Sequence, residues 1–161
     1  MSDVTKDDFK KVMGSFAAGV TVVTTLDAEG RAVGLTATAF SSLSMEPPLC
    51  LVCVHRNGTS HDALVASRRF AVNLLTAEQV ELSNRFASRA DDKFADVPHR
   101  PGDATGCALL DGALASMECE VVDVFPGGDH SIFVGRLATV SVADGRPLLY
   151  WRGGYRQLAD G

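Results

Sequence analysis

The chain lacks the motifs of several common enzyme classes. It contains no G-x-G-x-x-G segment, no Walker phosphate loop and no G-x-S-x-G nucleophile elbow. Rossmann-type dinucleotide binding, P-loop phosphoryl transfer and serine-hydrolase chemistry are therefore without their characteristic parts. The four histidines show no metal-ligand spacing with one another or with the cysteines, so we expect no metal site.

Long hydrophobic runs and cysteines are also scarce. No apolar segment approaches the ~20 residues of a membrane span, and residues 1–11 carry charge rather than a signal core, so we expect a cytoplasmic protein. Four cysteines are too few for a secreted disulfide framework in a chain of this length. Cys50 and Cys53 form a C-x-x-C motif, but on a strand they point to opposite faces, so we expect buried thiols.

Charge and composition indicate an ordinary globular protein. The formal net charge is −5 with both signs interspersed, which disfavours nucleic acid and anionic membrane as partners. Apolar residues make up 46% of the chain and charged residues 22%. A chain of 161 residues is long enough for a proper core, so we expect one domain over residues 1–161.

The apolar pattern predicts a mainly β protein with α insertions. Phe9, Val12, Met13 and Phe16 have helical spacing and predict an amphipathic helix over residues 5–17 that packs on the core. Further helices are predicted over 60–67 and 76–87, and strands over 20–26, 31–38, 49–55, 70–75, 113–125, 131–142, 148–151 and 155–158. Many of these strands are joined by hairpin turns, which favours an antiparallel barrel.

Residues 34–60 combine features that suit a flat, anionic ligand. Small and hydroxyl residues come first, and a short apolar strand over 49–55 follows, which we expect to be buried on both faces. After a turn at Asn57-Gly58, Thr59 or Ser60 is expected to cap a helix whose free N–H groups can bind a phosphate. The sequence therefore predicts a planar ligand that carries a phosphate.

Three further local features carry predictions. Thr76 and Gln79 have capping-box spacing at the start of a helix. Residues 88–106 have loop composition, and a connection of that length is usually functional or disordered. The turn Gly127-Gly128-Asp129-His130 allows two interpretations: a tight turn whose His130 faces water, or a His130 that projects over a pocket and contacts a second ligand.

Four segments together resemble one known family. They are GLTATAFSSLSMEPPLCLVCVHRNGTS (34–60), SNRFA (83–87), GGDHSIFVGRL (127–137) and PLLYWRGGYRQL (147–158). In this order they resemble the short-chain flavin reductases of two-component flavin-dependent monooxygenase systems. The resemblance implies an antiparallel split β-barrel of the flavin reductase-like, FMN-binding type. It also implies an NAD(P)H:flavin oxidoreductase that reduces FAD or FMN, supplies reduced flavin to a partner monooxygenase and forms a homodimer.

The resemblance also implies roles for particular residues. The isoalloxazine ring would lie along Gly34, Leu35, Thr36, Ala37 and Thr38 and against Cys53, Val54 and His55. The ribityl chain, phosphate and adenylate would contact Ser41, Ser42, Thr59, Ser60, Asn84, Arg85 and Phe86, with Arg85 as countercharge. The nicotinamide would meet Asp129 and His130, with His130 orienting it, and Tyr155 and Arg156 would close the site.

Two other functions remain open on the sequence. A flavin-binding or electron-relay protein without turnover would use the same fold. An oxidase of the pyridoxamine-phosphate type would share the barrel but should carry more basic residues for its substrate phosphate, so the charge balance argues mildly against it. Because no arginine-rich pocket for a 2′-phosphate can be located, NADH is mildly preferred over NADPH, and FAD is not distinguished from FMN.

Overall fold

A computed structural model describes residues 3–159, and strands dominate these residues. The elements in chain order are α1 Lys6–Gly14, β1 Ala18–Gly19, β2 Thr21–Leu26, β3 Ala32–Ala37, β4 Phe40–Met45, β5 Pro48–His55, α2 Thr59–Ser67, β6 Arg69–Leu74, α3 Val80–Ala87, β7 His99–Pro101, β8 Ala108–Leu110, β9 Ala115–Gly127, β10 His130–Val142, β11 Leu149–Trp151 and β12 Gly154–Arg156. None of the three helices in this range is long and apolar enough to cross a membrane.

Seven strands form the central sheet, in the order β3-β2-β6-β9-β10-β5-β4. Every pairing in this sheet is antiparallel. The two edge strands, β3 and β4, are not hydrogen-bonded to each other within the described residues, so the sheet stays open. The predicted mainly β, antiparallel architecture is confirmed, without full closure of a barrel. Two small sheets, β1-β11-β12 and β7-β8, complete the fold.

The core lies on both faces of the central sheet, because Val22 and Val23, which are neighbours on β2, belong to different buried clusters. The larger cluster includes Val52, Phe70 and Phe133, all fully buried. A second cluster places Phe86 of α3 against Val20 and neighbouring apolar residues. Burial of such side chains is the main favourable contribution to folding, so these two clusters fix the positions of the strands that carry the site.

Gly135 allows two cysteines to meet across strand β10, which lies between β5 and β9. It pairs with Cys50 of β5 on one side, and a Cβ added to it would lie 2.8 Å from the Cβ of Cys119 and would also collide with the Phe70 ring. The Sγ atoms of Cys50 and Cys119 are 3.7 Å apart, and both thiols are buried and free. Cys53 is half-buried, on the opposite face of β5, as its spacing from Cys50 predicts.

Helix α1 differs from the prediction in its packing. The helix has a capping box at its N-terminus. Thr5 Oγ1 accepts a hydrogen bond from the Asp8 N–H at 3.1 Å, and the Asp8 carboxylate accepts one from the Thr5 N–H at 3.3 Å. None of its residues is buried, and the side chains of Phe9, Val12 and Met13 are 61%, 69% and 52% exposed. The expectation that this helix packs on the core is therefore wrong, because helical spacing identifies an apolar stripe but not the surface that covers it.

Strand β5 is also buried differently from the prediction. Its burial alternates: Cys50, Val52 and Val54 face the core, whereas Leu51 and Cys53 are half-buried. The expectation that both faces are buried is therefore wrong, since no further layer covers the outer face completely. Its hairpin partner β4 was not predicted. The run of hydroxyl residues that suggested a ligand-binding segment also forms this polar edge strand, which has exposed side chains.

Both predicted helix caps are corrected by the structure. Gly58, without a side chain, occupies the N-cap of α2, so neither Thr59 nor Ser60 caps it. Helix α3 begins only at Val80. The Gln79 side chain accepts a hydrogen bond from the Thr76 N–H at 3.0 Å, which is half of the expected box. Spacing of polar residues alone does not set the residue at which a chain enters the helix.

The long connection 88–106 contains β7, which pairs with β8. The end of this connection, at Thr105, is hydrogen-bonded to a buried carboxylate. Glu118 of β9 is 2% exposed and accepts hydrogen bonds from the Thr105 N–H at 2.6 Å, the Thr105 hydroxyl at 2.7 Å and the Thr139 hydroxyl at 2.8 Å. The predicted hairpins β2–β3, β9–β10 and β11–β12 are confirmed.

Candidate functional site

The turn between β9 and β10 brings two histidines and an aspartate together. His55, at the end of β5, is the register partner of His130, at the start of β10. Their ring centroids are 5.1 Å apart in an edge-on arrangement. The Asp129 carboxylate lies 2.7 Å from His130 Nδ1 and 3.8 Å from His55 Nε2. The hydrogen bond with His130 holds the pKa of Asp129 below its usual value.

A cavity of about 620 Å³ lies beside this cluster and shares His55 with it. We call it the α2 cavity because the first residues of helix α2 form part of its wall. Five residues predicted to bind the ligand line it: Leu35, Val54, His55, Thr59 and Ser60. Another wall is formed by the start of the long connection, residues 88–91 with Lys93. A volume of this size is within the range of small-molecule sites.

Like the other residues of this wall, Lys93 was not predicted to bind a ligand. Its ammonium donates hydrogen bonds to the carbonyl oxygens of Phe86 at 2.9 Å and Gly34 at 3.3 Å. Burial lowers the pKa of this ammonium. The only signal in the sequence was the unusual length of the connection that carries it, because a single lysine in a polar segment has no distinguishing pattern.

A second cavity, of about 400 Å³, lies under the C-terminal hairpin and beside helix α3. We call it the α3 cavity. Four predicted residues line it: Thr36, Thr38, Asn84 and Tyr155. The Tyr155 hydroxyl donates to Asn84 Oδ1 at 2.7 Å and lies 2.9 Å from the Ser83 hydroxyl, whereas Thr36 Oγ1 donates to the Ser83 carbonyl at 2.6 Å. Ser83 links the two sides of this cavity but was not predicted.

Strand β3 separates the two cavities. Because successive side chains of a strand point to opposite faces, Leu35 lines the α2 cavity and Thr36 and Thr38 line the α3 cavity. Gly34 is buried against the Phe86 ring, since an added Cβ would lie 3.0 Å from Phe86 Cε1. As an edge strand, β3 leaves one side of its backbone without a strand partner, and a ligand can approach that side.

Other predicted binding residues lie outside these two cavities. Ala37 and Phe86 are in the core clusters. Ser41 and Ser42 are exposed on β4, and Cys53 is half-buried on β5. The guanidinium of Arg85 donates a hydrogen bond to the Ala95 carbonyl, and that of Arg156 donates one to its neighbour's carbonyl, at Tyr155, over 2.7 Å. The structure therefore groups nine of the predicted residues around β3 and places Asp129 and His130 beside one of the two cavities.

The arrangement suits binding more than acid–base chemistry. The α2 cavity combines aliphatic side chains with hydroxyls and an ammonium, which fits a flat ring with an anionic tail. Among the described residues, no group of three or more His, Cys, Asp or Glu side chains is arranged to hold a metal ion. A flavin fits these donors: an apolar wall for its ring, and hydroxyl and ammonium groups for its phosphate.

Comparison with known proteins gives consistent matches over nearly the whole chain. A family model described as "Flavin reductase like domain" matches residues 13–159. The reductase subunit HsaB of a flavin-dependent monooxygenase from Mycobacterium tuberculosis is 41% identical over 150 residues, which cover 91% of this chain and 79% of that protein. A probable flavin reductase from Rhizobium meliloti is 40% identical over 146 residues, but this chain spans only 47% of its length.

A solved structure matches equally well. The NADH:FAD oxidoreductase SgcE6 of Streptomyces globisporus superposes with a TM-score of 0.92 at 34% sequence identity, and the match covers 99% of this chain and 98% of that one.

Proposed function

The chain belongs to the family of flavin reductase like domains, and from this membership we propose that it reduces FAD or FMN with NADH by hydride transfer. The observation that carries the proposal is the position of the Asp129–His130 turn beside the α2 cavity, with His55 common to both. Such a position suits two ligands that must meet, one in the cavity and one beneath the turn. SgcE6 is named for NADH and FAD, which supports this choice of substrates.

Bound flavin and nicotinamide supply the hydride-transfer chemistry themselves. The residues of this chain hold the two rings in contact and keep water away. Leu35 and Val54 provide an apolar wall, and Thr59 and Ser60 provide hydroxyls at the start of α2. His130, whose ring is held by Asp129, orients the nicotinamide and does not need to transfer a proton. Backbone N–H groups of β3 could stabilise negative charge that develops on the flavin.

The remaining predicted contacts belong to the same proposal. Thr36, Thr38, Asn84 and Tyr155 bind the part of the flavin that reaches the α3 cavity. Ser41, Ser42, Cys53 and Arg156 would contribute only where the ligand extends beyond the cavities. Gly34 and Phe86 act through the shape of β3, since Phe86 is buried behind Gly34.

The biological setting is also proposed. Relatives such as HsaB are named as reductase subunits of monooxygenases, so we assign this protein a separate flavin-dependent monooxygenase as the consumer of reduced flavin. We place it in the cytoplasm, as one domain that forms a homodimer. The exposed apolar stripe of α1 supports the dimer, because an apolar patch of this kind usually marks an interface.

Steady-state kinetics tests the proposal. Purified protein is mixed with NADH or NADPH and with FAD or FMN, and absorbance at 340 nm is followed. We expect flavin-dependent oxidation, faster with NADH than with NADPH. Absence of oxidation in all four combinations would overturn the proposal, and tight flavin binding without oxidation would identify a flavin-binding protein that lacks turnover.

A further inference from the structure

Helix α2 and strand β10 are joined by a hydrogen bond between two largely buried side chains. His61 Nε2 lies 2.9 Å from the Ser131 hydroxyl. The His61 side chain is 13% exposed and Ser131 is 7% exposed. The imidazole also meets the buried Phe133 ring edge-on, with ring centroids 5.5 Å apart, which restricts its orientation. Such a shielded polar pair needs both partners, because removal of one leaves the other unsatisfied.

The neighbouring carboxylate indicates which ring nitrogen of His61 carries the proton. Asp62 Oδ1 lies 3.3 Å from His61 Nδ1, and a carboxylate only accepts, so Nδ1 carries the proton in the neutral ring. Nε2 then accepts a hydrogen bond from the Ser131 hydroxyl. The Asp62 side chain is 88% exposed, so water competes for its contact with His61. The bond to Ser131 is therefore the main anchor of the ring.

Each end of this bond adjoins one part of the candidate site. His61 directly follows Thr59 and Ser60, which line the α2 cavity. Ser131 directly follows His130 of the turn beside that cavity. Neither His61 nor Ser131 lines the α2 cavity itself. The pair can therefore influence ligands in this cavity only through the residues next to it.

The connection between β5 and α2 contacts the same turn at its main chain. The Arg56 N–H donates to the Asp129 carbonyl at 3.0 Å, and Arg56 Nε donates to the His130 carbonyl at 3.2 Å. Arg56 is exposed, so water can replace its side-chain bond. The bond between His61 and Ser131 is shielded from water, and it is the contact best suited to fix the distance between α2 and the turn.

We propose that His61 is a positioning residue for hydride transfer, because through Ser131 it fixes the Asp129–His130 turn relative to the start of α2. This inference rests on the proposed flavin reductase function. A shift of the turn moves the nicotinamide relative to the flavin ring, and the rate of transfer depends steeply on that geometry. Loss of the bond therefore raises the KM for NADH and lowers kcat, whereas the flavin, which contacts other residues, keeps its affinity.

Two amide variants separate this hydrogen bond from the rest of the imidazole. His61→Gln places an amide where Nε2 lies and can reach Ser131, whereas the shorter side chain of His61→Asn places it near Nδ1. We expect kcat/KM for NADH to fall about three- to tenfold in His61→Asn, the range for loss of one hydrogen bond. It should stay within about twofold in His61→Gln. The Kd for flavin should stay within about twofold in both variants, which also shows that they are folded.

Asp62→Asn is the matched control. It changes an exposed side chain of the same helical turn, keeps an acceptor for Nδ1 and should give the wild-type kcat/KM for NADH. Equal losses in the two His61 variants, an unchanged kcat/KM in His61→Asn, or a flavin Kd that rises with the KM for NADH would overturn the inference.

A double variant tests whether His61 acts through the turn. His130→Ala already removes the orienting contact, so adding His61→Asn to it should lower kcat/KM for NADH by less than a further factor of about two. Losses that multiply would show that His61 acts independently of His130 and would contradict the proposal.

A measurement without turnover separates this inference from the reductase function. The NMR signals of the His130 ring should move in His61→Asn and keep their wild-type positions in His61→Gln. Signals that stay in place in both variants would rule out the positioning role whatever the activity. Absence of wild-type NADH oxidation with every flavin would instead refute the reductase function, and with it the role in hydride transfer.

Discussion

His55 and His130 face each other across β5 and β10 with ring centroids 5.1 Å apart, and the Asp129 carboxylate approaches both rings. This contact joins two segments that are 75 positions apart in the chain and places the Gly-Asp-His turn over the rim of the α2 cavity. The pocket-facing interpretation of His130 stays a prediction: the side chain is 40% exposed, is held by Asp129 and lies next to His55, which lines the α2 cavity.

Replacement of His130 by alanine tests the role of this turn. We expect the KM for NADH to rise about tenfold, equivalent to about 1.4 kcal/mol, because the nicotinamide loses an orienting contact. The Kd for flavin should stay within about twofold, since the flavin phosphate and ring contact other residues. Titration of flavin fluorescence measures this Kd. A large loss of flavin affinity would mean that His130 contacts the flavin instead.

A glycine-to-alanine pair tests the packing of the sheet. In Gly135→Ala the new methyl group collides with Phe70 and lies 2.8 Å from the Cys119 Cβ, so we expect a loss of about 1–3 kcal/mol in the free energy of unfolding. In Gly19→Ala the methyl group meets nothing within 4 Å, so the change should stay within about 0.5 kcal/mol. Urea denaturation followed by circular dichroism compares them. Equal stability of the two variants would contradict the close approach at Gly135.

Glu118 makes stability depend on pH. Its burial would raise its pKa, but hydrogen bonds from Thr105, Thr139 and Ala104 outweigh this effect and leave the pKa lowered. A carboxyl group with a lowered pKa in the folded state stabilises the protein above the unfolded value of about 4.3, and this contribution is lost as the pH falls through the folded value.

The matching variant is Glu118→Gln. We expect it to lose about 3 kcal/mol at pH 7, because the amide cannot accept as many hydrogen bonds as the carboxylate. It should also lose part of the acid sensitivity below pH 5. Thermal unfolding of both proteins between pH 3 and 7 provides the measurement. If the two curves stay parallel over this range, the carboxylate of Glu118 does not contribute as described.

The apolar stripe of α1 gives a prediction about assembly. Phe9 and Met13 are 61% and 52% exposed, and we expect a second copy of the chain to cover them. Light scattering should give twice the 17.0 kDa protomer mass for the wild-type protein and a lower mass for the double variant Phe9→Ser, Met13→Ser. Lys10→Ser, on the same helix, is the control and should remain dimeric. A wild-type protein that is monomeric at micromolar concentration would refute the proposed dimer.

Much of the fold was predictable because its turns have clear local chemistry. The hairpins β2–β3, β9–β10 and β11–β12 are joined by turns that contain glycine, and longer segments identify the strands of the first two hairpins. The strands β1, β7 and β8 have only two or three residues, too few to show any period. Strand β4 was missed because serines that suit a ligand also suit an exposed edge.

The site was predictable only in part, for a similar physical reason. Leu35, Thr36 and His55 lie in segments with a recognisable order of residues, and the structure places them at cavities. Lys93 contacts main-chain carbonyls and Ser83 contacts the side chains of Thr36 and Tyr155, and such contacts with distant segments leave no pattern in the sequence around them. The packing of Phe86 behind Gly34 likewise depends on the fold rather than on spacing.

The most direct test of the central claim is anaerobic reduction of FAD or FMN by NADH, followed at 450 nm with a catalytic amount of the protein. Oxygen is excluded, so reduced flavin accumulates and hydride transfer is seen without any partner protein. We expect loss of flavin absorbance in stoichiometric proportion to NADH, far faster than in a sample without protein. Flavin absorbance that persists at the rate of the protein-free sample would contradict it.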